Sequence, residues 1–412
     1  MNRKQFIILL VLVVVLGGAG LLLRQRENSS WTGSGRAMGR KVLGDFKYND
    51  VARIALKQGN ATTTLVKKND RWTVAERNSY PANYSEIGDF LIKAADLKIV
   101  QSEKVGPSQL GRFGLAAGQG TNAPLTVEFK DQNDKTIKSL LLGKKHMRKS
   151  DRNSPMGGEF GEDGGFPDGR YVKTGADSED VLVISDALAN IEPKPEQWLD
   201  KDFFKIEKVS SVAVDFPAAT NSWKVSRETE SGEWKLSDAK LGEQLDNSKA
   251  SSAANPLGSP SFNDVATESR PEQLGLDKPT VVNVNTFDGL NYTLKVGAKT
   301  NDNYALAMTL GSQAKTERTP GKDEKPEDKA KLDKEFKENQ KKVEEKVTRE
   351  KAFEKWVYLV PQWTFESLLK GRAQLMVEKK EEPKKETGTN AAPESPTIIP
   401  APTPTPAPET PK

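Results

Sequence analysis

The sequence predicts an α+β fold class: two tandem homologous modules of mainly antiparallel strands with a few helices, preceded by an N-terminal transmembrane helix. Three observations support this prediction. Short apolar runs alternate with turn dipeptides, which is typical of antiparallel strands. Motifs of the first half recur in the second half at a nearly constant offset. A long uncharged aliphatic run lies close to the N-terminus.

The length and composition of the chain indicate several folded units together with segments outside any core. The chain has 412 residues, whereas ordinary domains cluster near about 100–150. Hydrophobic residues make up 35% of the chain, below the roughly 45–50% of a typical globular domain. We therefore divide the chain into a transmembrane anchor (1–26), a linker (27–43), a first α+β module (44–206), a second α+β module with a charged helical insertion at about 316–355 (207–377), and a Pro/Thr-rich tail that we expect to be disordered (378–412).

Rare and missing residue types exclude several kinds of site. The chain contains no cysteine, which excludes disulfides, thiolate metal sites and a cysteine nucleophile. His146 is the only histidine, which excludes sites that need two imidazoles. The net charge of +4 is small for this length, so we expect no nucleic acid among the partners.

The predicted anchor is an uncharged, mostly aliphatic run over residues 6–23. As a helix rising ~1.5 Å per residue it would span about 27 Å, close to the hydrocarbon thickness of a bilayer. A cleaved signal peptide is the alternative, with Arg3 and Lys4 as its basic start and Gly18 near a cleavage site. The run Leu21-Leu22-Leu23 extends beyond that site and favours the uncleaved anchor. A short basic head before a first apolar segment predicts that the rest of the chain is exported.

The first module is predicted to consist of short strands around one amphipathic helix. Strands are expected at 52–56, 62–67, 72–75, 125–129, 137–142, 170–173 and 181–184. Turns are expected at Gly59-Asn60 and Asn69-Asp70. A helix is expected over 85–97, because one helical face collects Ile87, Phe90, Leu91, Ala94 and Leu97.

Four motifs of the first module recur in the second at offsets near 154 to 162 residues. The pairs are Arg71-Trp72-Thr73-Val74 with Glu233-Trp234-Lys235-Leu236, Phe113-Gly114-Leu115 with Leu274-Gly275-Leu276, the Pro124 strand with the Pro279 strand, and Leu140-Leu141-Leu142-Gly143 with Leu294-Lys295-Val296-Gly297. Aromatic and glycine positions of this kind are typical of core packing and turns, so they favour a scaffold. Residues 246–260 are rich in Ser, Ala, Asn and Pro, so no amphipathic helix is expected there.

These residues resemble a bacterial domain-of-unknown-function family. The resemblance is carried by Trp72, Tyr80-Pro81-Ala82, a helix ending at Leu97, Phe113-Gly114-Leu115, Leu142-Gly143 and Trp198-Leu199-Asp200-Lys201. Members are similar to single-pass extracytoplasmic proteins associated with ABC transporters of the gliding-motility type. The resemblance implies two tandem copies, a location in the bacterial inner membrane with the bulk in the periplasm, and ABC transporter permease and ATPase subunits as partners. It implies no catalytic residues.

Two charged or proline-rich segments lie outside the repeated motifs. Residues 316–355 alternate Lys and Glu and predict a long helix, which begins near Pro326. Its narrow apolar edge at Leu332, Phe336, Val343 and Val347 leaves two interpretations, a solvated helix or an edge for a partner helix. The tail over 378–412 is expected to act as a spacer or tether.

No pattern in the sequence identifies a catalytic, cofactor-binding or metal-binding residue. The Gly-rich acidic stretch 154–170 could hold Ca²⁺, but its spacing fits no EF-hand and a solvated loop is the simpler interpretation. His146 is expected on the surface in a basic turn, beside cations that could contact anionic lipid.

The sequence therefore predicts a binding protein rather than an enzyme. We expect a membrane-anchored extracytoplasmic auxiliary protein of an ABC-type transporter complex, with the lipid bilayer contacted through residues 6–23. The alternative is a cell-envelope scaffold that contacts the wall or other membrane proteins. An envelope hydrolase is less favoured, because no nucleophile–base or metal set is visible.

Overall fold

The structure is a computed structural model, and it describes residues 38–147, 167–175, 178–268, 270–320 and 324–377. The predicted anchor, most of the linker, most of the Gly-rich acidic stretch and the proline-rich tail lie outside the described residues. Among the helices of the described residues, none is both long and apolar enough to span a membrane.

The first half of the chain forms a nine-stranded antiparallel sheet. Its strands are β1 Arg53–Gln58, β2 Ala61–Lys68, β3 Arg71–Val74, β4 Tyr80–Pro81, β5 Ile99–Lys104, β6 Leu125–Lys130, β7 Thr136–Met147, β8 Pro167–Lys173 and β9 Asp180–Ile184. They lie in the order β4-β3-β2-β1-β6-β7-β8-β9-β5. β6 shows why these segments are strands: its residues alternate between buried and half-buried, so one face of the strand packs on the core.

The second half forms an eight-stranded antiparallel sheet. Its strands are β10 Val209–Asp215, β11 Trp223–Ser226, β12 Lys235–Leu236, β13 Asp264–Val265, β14 Thr280–Thr286, β15 Leu290–Thr300, β16 Asn303–Ser312 and β17 Tyr358–Pro361. They lie in the order β12-β11-β10-β14-β15-β16-β17-β13. We set aside the two-residue β4 and number the remaining strands of each sheet along the chain. Both sheets then have the strand order 3-2-1-5-6-7-8-4.

Both sheets carry a helix at the same point, after the third strand. In the first module it is α1 Tyr84–Asp96, whose N-terminus is capped by the Asn83 side chain accepting from the Glu86 amide. In the second it is α2 Asn247–Ala254. No amphipathic helix was expected here, and the helix that forms buries only Ala250 and Ala253. A short helix forms because the Asp246 carboxylate accepts from the amides of Ser248 and Lys249, at 2.9 and 3.2 Å.

The second module also contains two helices between β16 and its C-terminus. α3 Pro326–Glu350 is the predicted charged helix, with Glu327 and Asp328 in its first turn. α4 Gln362–Phe365 is a single turn that follows β17. α3 therefore occupies most of the predicted insertion, and the residues after it return the chain to the sheet through a 3₁₀ turn, Lys351–Lys355.

One continuous apolar core joins the two sheets. It includes Phe129 and Ile184 of the first sheet, Val284 and Tyr358 of the second, and Phe204 of the segment that connects them. Burying these side chains stabilises both modules at once, so the two sheets do not form separate cores.

Candidate functional site

The predicted calcium-binding stretch is described only at its C-terminal end. Residues 154–166 lie outside the described residues, whereas Asp168 and Arg170 lie on β8. Among the residues that the structure describes, no group of three or more His, Cys, Asp or Glu side chains could hold a metal ion. The described part of the chain thus offers no metal centre to build on.

His146 lies on a strand rather than in the predicted basic turn. β7 continues to Met147, and His146 pairs with Gly169 of β8. Its Nδ1 atom lies 2.6 Å from Oδ1 of Asp168, and its ring packs edge-on against Tyr171. Both side chains are partly exposed. A lone imidazole–carboxylate pair can hold a proton, but a hydrolytic site also needs a nucleophile or a metal, so this pair alone identifies no reaction.

The two sheets meet at a junction that consists of an ion pair, a group of aromatic rings and a few hydrogen bonds. Arg77, in the 3₁₀ turn after β3, donates from Nε and Nη2 to both carboxylate oxygens of Asp264 on β13, at 2.7 and 2.8 Å. Glu196 lies 3.5 Å from the same guanidinium. The Asp264 carboxylate, as the largest cause, raises the pKa of Arg77. A bidentate, mostly buried pair of this kind fixes orientation as well as distance.

Aromatic rings fill the space beside this ion pair. Tyr80 of β4 packs against Trp356, Phe262 and Tyr358, at ring-centroid distances of 4.8, 5.8 and 6.0 Å. Phe203 of the connecting segment packs on Phe262 and Tyr358. Edge-to-face packing of buried rings adds stability beyond the area that they bury. Burial is the largest cause that raises the pKa values of Tyr80 and Tyr358 above the ordinary tyrosine value.

Backbone contacts complete the junction. Asn78 donates from its side-chain amide to the carbonyl of Ala266, and its own carbonyl accepts from the Trp356 indole, both at 3.4 Å. Asn78 and Ser79 both have left-handed φ angles, near +54° and +55°. Such a pair turns the chain sharply and costs free energy in residues other than glycine. The surrounding contacts hold the turn against the second sheet.

The charged helix α3 is attached to the second sheet at its C-terminal end. Glu350 is fully buried and accepts from the Tyr292 hydroxyl at 2.7 Å. Burial first, and the hydrogen bond to Glu350 second, raise the pKa of Tyr292. Lys346 lies 3.1 Å from Glu207 of the connecting segment. Val343 is buried on the same helical face. A buried carboxylate requires hydrogen-bond partners, and here they lock the helix end in place.

The N-terminal half of α3 is largely exposed. Leu332 is more than one-third exposed, and lysine–glutamate pairs at i,i+4 line the outer face, for example Lys334 with Glu338. Arg318 pairs with Glu324 and Asp333 and holds the start of the helix. The structure therefore supports the solvated-helix interpretation for the outer face, and it places Val343 and Val347 of the predicted apolar edge against the core.

The comparisons with known proteins concern only the middle of the chain. A model for a domain of unknown function (DUF4340) matches residues 159–279. Part of this chain is similar to that uncharacterised family. The matched segment includes the end of the first module and the start of the second. No curated protein and no solved structure matches the chain.

Sequence reasoning singled out Tyr80 but not the other residues of the junction. Arg77, Asp264 and Phe262 belong to no motif, and Arg77 and Asp264 are 187 positions apart. One available signal was the spacing of aromatic residues in the two connecting regions, Phe203-Phe204 and Trp356-Val357-Tyr358. The aromatic enrichment is typical of a buried contact between modules.

Proposed function

We propose that this chain is a membrane-anchored extracytoplasmic auxiliary protein that positions partners rather than transforming a substrate. The observation that carries the proposal is the junction: a bidentate ion pair and a cluster of buried rings hold the two sheets in one orientation. A rigid pair of modules suits a protein that must present two surfaces at a fixed spacing.

The specific assignment is an accessory subunit of an ABC-type transporter complex in the bacterial inner membrane. It rests on the resemblance and on the predicted anchor over residues 6–23. The family match over 159–279 supports the resemblance at the level of an uncharacterised domain. In this proposal the permease and ATPase subunits are the partners, and the bulk of the chain lies in the periplasm.

We further propose that the two modules arose by tandem duplication. The common strand order supports this, and so do two matching contacts. Gly143 and Gly297 each lie against the carbonyl of the residue that precedes a left-handed glycine, Phe113 before Gly114 and Leu274 before Gly275. Such a close approach requires a residue without a Cβ, and in both strands it lies within a register shift, between Leu142 and Lys145 and between Val296 and Lys299.

The transporter assignment is tested by affinity purification of the full-length protein from its host in mild detergent, with mass spectrometry of the co-purifying chains. The matched control keeps residues 1–43 and lacks 44–377, so that it retains the predicted anchor without the modules. We expect permease and ATPase subunits with the full chain and not with the control. Their absence from both preparations would overturn the assignment while leaving the positioning role open.

A cell-envelope scaffold is the second candidate, and the exposed outer face of α3 favours it. Deleting the whole insertion would be a poor test, because Val343 and Glu350 belong to the core. Reversing the exposed charges Lys334, Lys337 and Lys341 to glutamate leaves that core intact. Loss of localisation in this variant, with transporter subunits still recovered, would favour the scaffold.

A further inference from the structure

The junction pairs two different surfaces of the same fold. One is the loop between β3 and β4, with Arg77 and Asn78 at its tip, and the other is the edge strand β13 with Asp264. Because the two sheets share one strand order, each module has both surfaces. The junction uses the loop of the first module and the edge of the second. The loop of the second module is left over. So is the edge of the first module beyond Ile99 in the described residues, where the hydrogen bonds between residues 39–42 and residues 97–99 end.

The unused loop of the second module lies over residues 238–243, between β12 and α2. Its position follows from the bridges that end the two loops: Ala82 pairs with Leu199, and Leu245 pairs with Met376. Counting back four residues from each bridge gives Asn78 in the first module and Leu241 in the second. The next residue has a left-handed φ in both, near +55° at Ser79 and +82° at Gly242.

This loop is held in a defined shape by one buried cation. Arg372, only 6% exposed, donates to the Asp238 carboxylate at 2.8 and 2.9 Å and to Glu243 at 2.7 and 3.0 Å. The Glu243 carboxylate also accepts from the Lys240 amide. A buried guanidinium with two carboxylate partners orders a loop that would otherwise be mobile.

The ordered loop presents an apolar side chain to solvent. Leu241 is fully exposed at the tip, at the position that Asn78 occupies in the junction. Lys240, also exposed, takes the position of Arg77. A single exposed leucine is ordinary, but a leucine on a loop that a buried ion-pair cluster holds in place is pre-organised for contact.

The unused edge of the first module is β5. It is six residues long and has no fully buried residue, and Val100 is 50% exposed. Gln101 and Ser102 pair with Val183 and Leu182 of β9, and Asp264 and Val265 pair with Leu359 and Tyr358 of β17. Because β9 and β17 hold the same place in the two sheets, Gln101 and Ser102 are the counterparts of Asp264 and Val265. Glu103, two positions beyond Gln101 on the same face of the strand, offers a carboxylate to a cation at the Arg77 position.

We propose that two copies of this chain associate head to tail, with the 238–243 loop of one copy seated on the β5 edge of the next. Leu241 packs on Val100, and Lys240 pairs with Glu103. The occupant is a second copy because the chain already makes this kind of contact once, between its own modules, and because Lys240 of the loop and Glu103 of the edge are oppositely charged. The proposal rests on the membrane anchor of the proposed function but not on the transporter assignment.

The association is weak in solution and depends on confinement. The unused surfaces lack the ring cluster: Glu243, bound by Arg372, stands where Tyr80 stands in the junction. Anchoring all copies in one membrane raises their effective concentration. Because the contact joins two different surfaces, a pair of copies keeps one free loop and one free edge to which further copies can add.

Cross-linking tests the proposal directly, because the natural chain has no cysteine. Full-length Leu241→Cys and Val100→Cys proteins with different affinity tags are mixed in lipid vesicles and treated with a short bis-maleimide. The control replaces Val100→Cys by Tyr84→Cys, which is at least as exposed but lies on α1. We expect a mixed dimer several times more abundant with Val100→Cys than with Tyr84→Cys.

Charge reversal distinguishes a specific contact from chance collision. Lys240→Glu should lower the yield of the mixed dimer several-fold, and adding Glu103→Lys to the Val100→Cys partner should restore it. Both side chains are exposed, so neither change disturbs the fold. A yield equal to the Tyr84→Cys control, a product only between two Leu241→Cys copies, or no rescue by the reversed pair would overturn the proposal.

Discussion

The edge strands β13 and β5 hold the same position in two sheets of the same strand order, yet they differ in length and chemistry. The loop between β3 and β4 covers β13, whereas residues 39–42 pair only with the start of β5. β13 has two residues, and the loop with Arg77 and Asn78 covers it. β5 has six residues and carries Glu103 and Lys104 toward solvent. The rings of Phe262 and Tyr358 pack beside the first edge.

Strand order determines which strands lie at the edges of a sheet, and the side chains on and around an edge strand determine whether another segment packs on it. Charged residues and a register shift between Ile99 and Gln101 protect β5 against uncontrolled strand pairing. Buried rings and a bidentate ion pair hold the loop between β3 and β4 on the covered edge. The predictions below test this difference, beginning with the largest expected effect.

Alkaline pH should destabilise the junction and the second module. Tyr80, Tyr292 and Tyr358 have raised pKa values, mainly through burial, so they keep their protons at a pH where the unfolded chain loses them, above about 10. The free energy of unfolding should therefore be intact below pH 10 and fall above it. Each tyrosine contributes about 1.4 kcal/mol per pH unit, or about 4 kcal/mol per unit for the three.

Urea denaturation at pH 9, 10, 11 and 12 measures this loss. Tyr292→Phe has no phenolic proton and should reduce the slope above pH 10 by about 1.4 kcal/mol per pH unit. Lysine side chains also titrate in this range, and the difference between the two proteins removes their contribution. An equal slope in both proteins would contradict the assignment of the effect to buried tyrosine.

Removing one ring should uncouple the two sheets. Tyr80 is 1% exposed, and Tyr80→Ala should lower the free energy of unfolding by about 3–5 kcal/mol, because it leaves a cavity among Phe262, Trp356 and Tyr358. We expect the unfolding curve, followed by tryptophan fluorescence, to separate into two transitions. The control Tyr84→Ala removes an exposed ring nearby and should change stability by less than about 0.5 kcal/mol.

Gly143 and Gly297 allow the same change to be made in both modules. A Cβ at either position would overlap a carbonyl oxygen, that of Phe113 or of Leu274. Gly143→Ala and Gly297→Ala should each cost about 1–3 kcal/mol. Similar losses would strengthen the equivalence of the modules. The control Gly88→Ala, with open space around its Cβ, should not destabilise α1. A loss in only one module would indicate that the two strand ends pack differently.

The sequence was sufficient to predict the class of fold and the amphipathic helix α1, because those depend on local patterns. Ile87, Phe90, Leu91 and Ala94 are buried on one face of that helix, as their spacing predicted. The helix at 247–254 was not predicted, because it buries only Ala250 and Ala253 and depends on the cap from Asp246. Small residues give a weak periodic signal.

The junction could not be predicted, because its contacts join positions far apart in the chain. Arg77 and Asp264 are 187 residues apart, and nothing near either residue marks the other as its partner. The exposed loop at 238–243 had the same difficulty: the residue that orders it, Arg372, lies at the end of the second module. Long-range ion pairs require the fold before they can be recognised.

The smallest effect should separate the two halves of α3, which among the described residues has no counterpart in the first module. Val343 is 8% exposed and packs on the core, so Val343→Ala should cost about 1–2 kcal/mol from lost apolar burial. Leu332, nearer the start, is 37% exposed, and Leu332→Ala should change the free energy of unfolding by less than about 0.5 kcal/mol. Urea denaturation of both variants checks this order. A larger loss for Leu332→Ala would mean that its edge of α3 is covered in solution, which would favour the partner-helix interpretation over a solvated face.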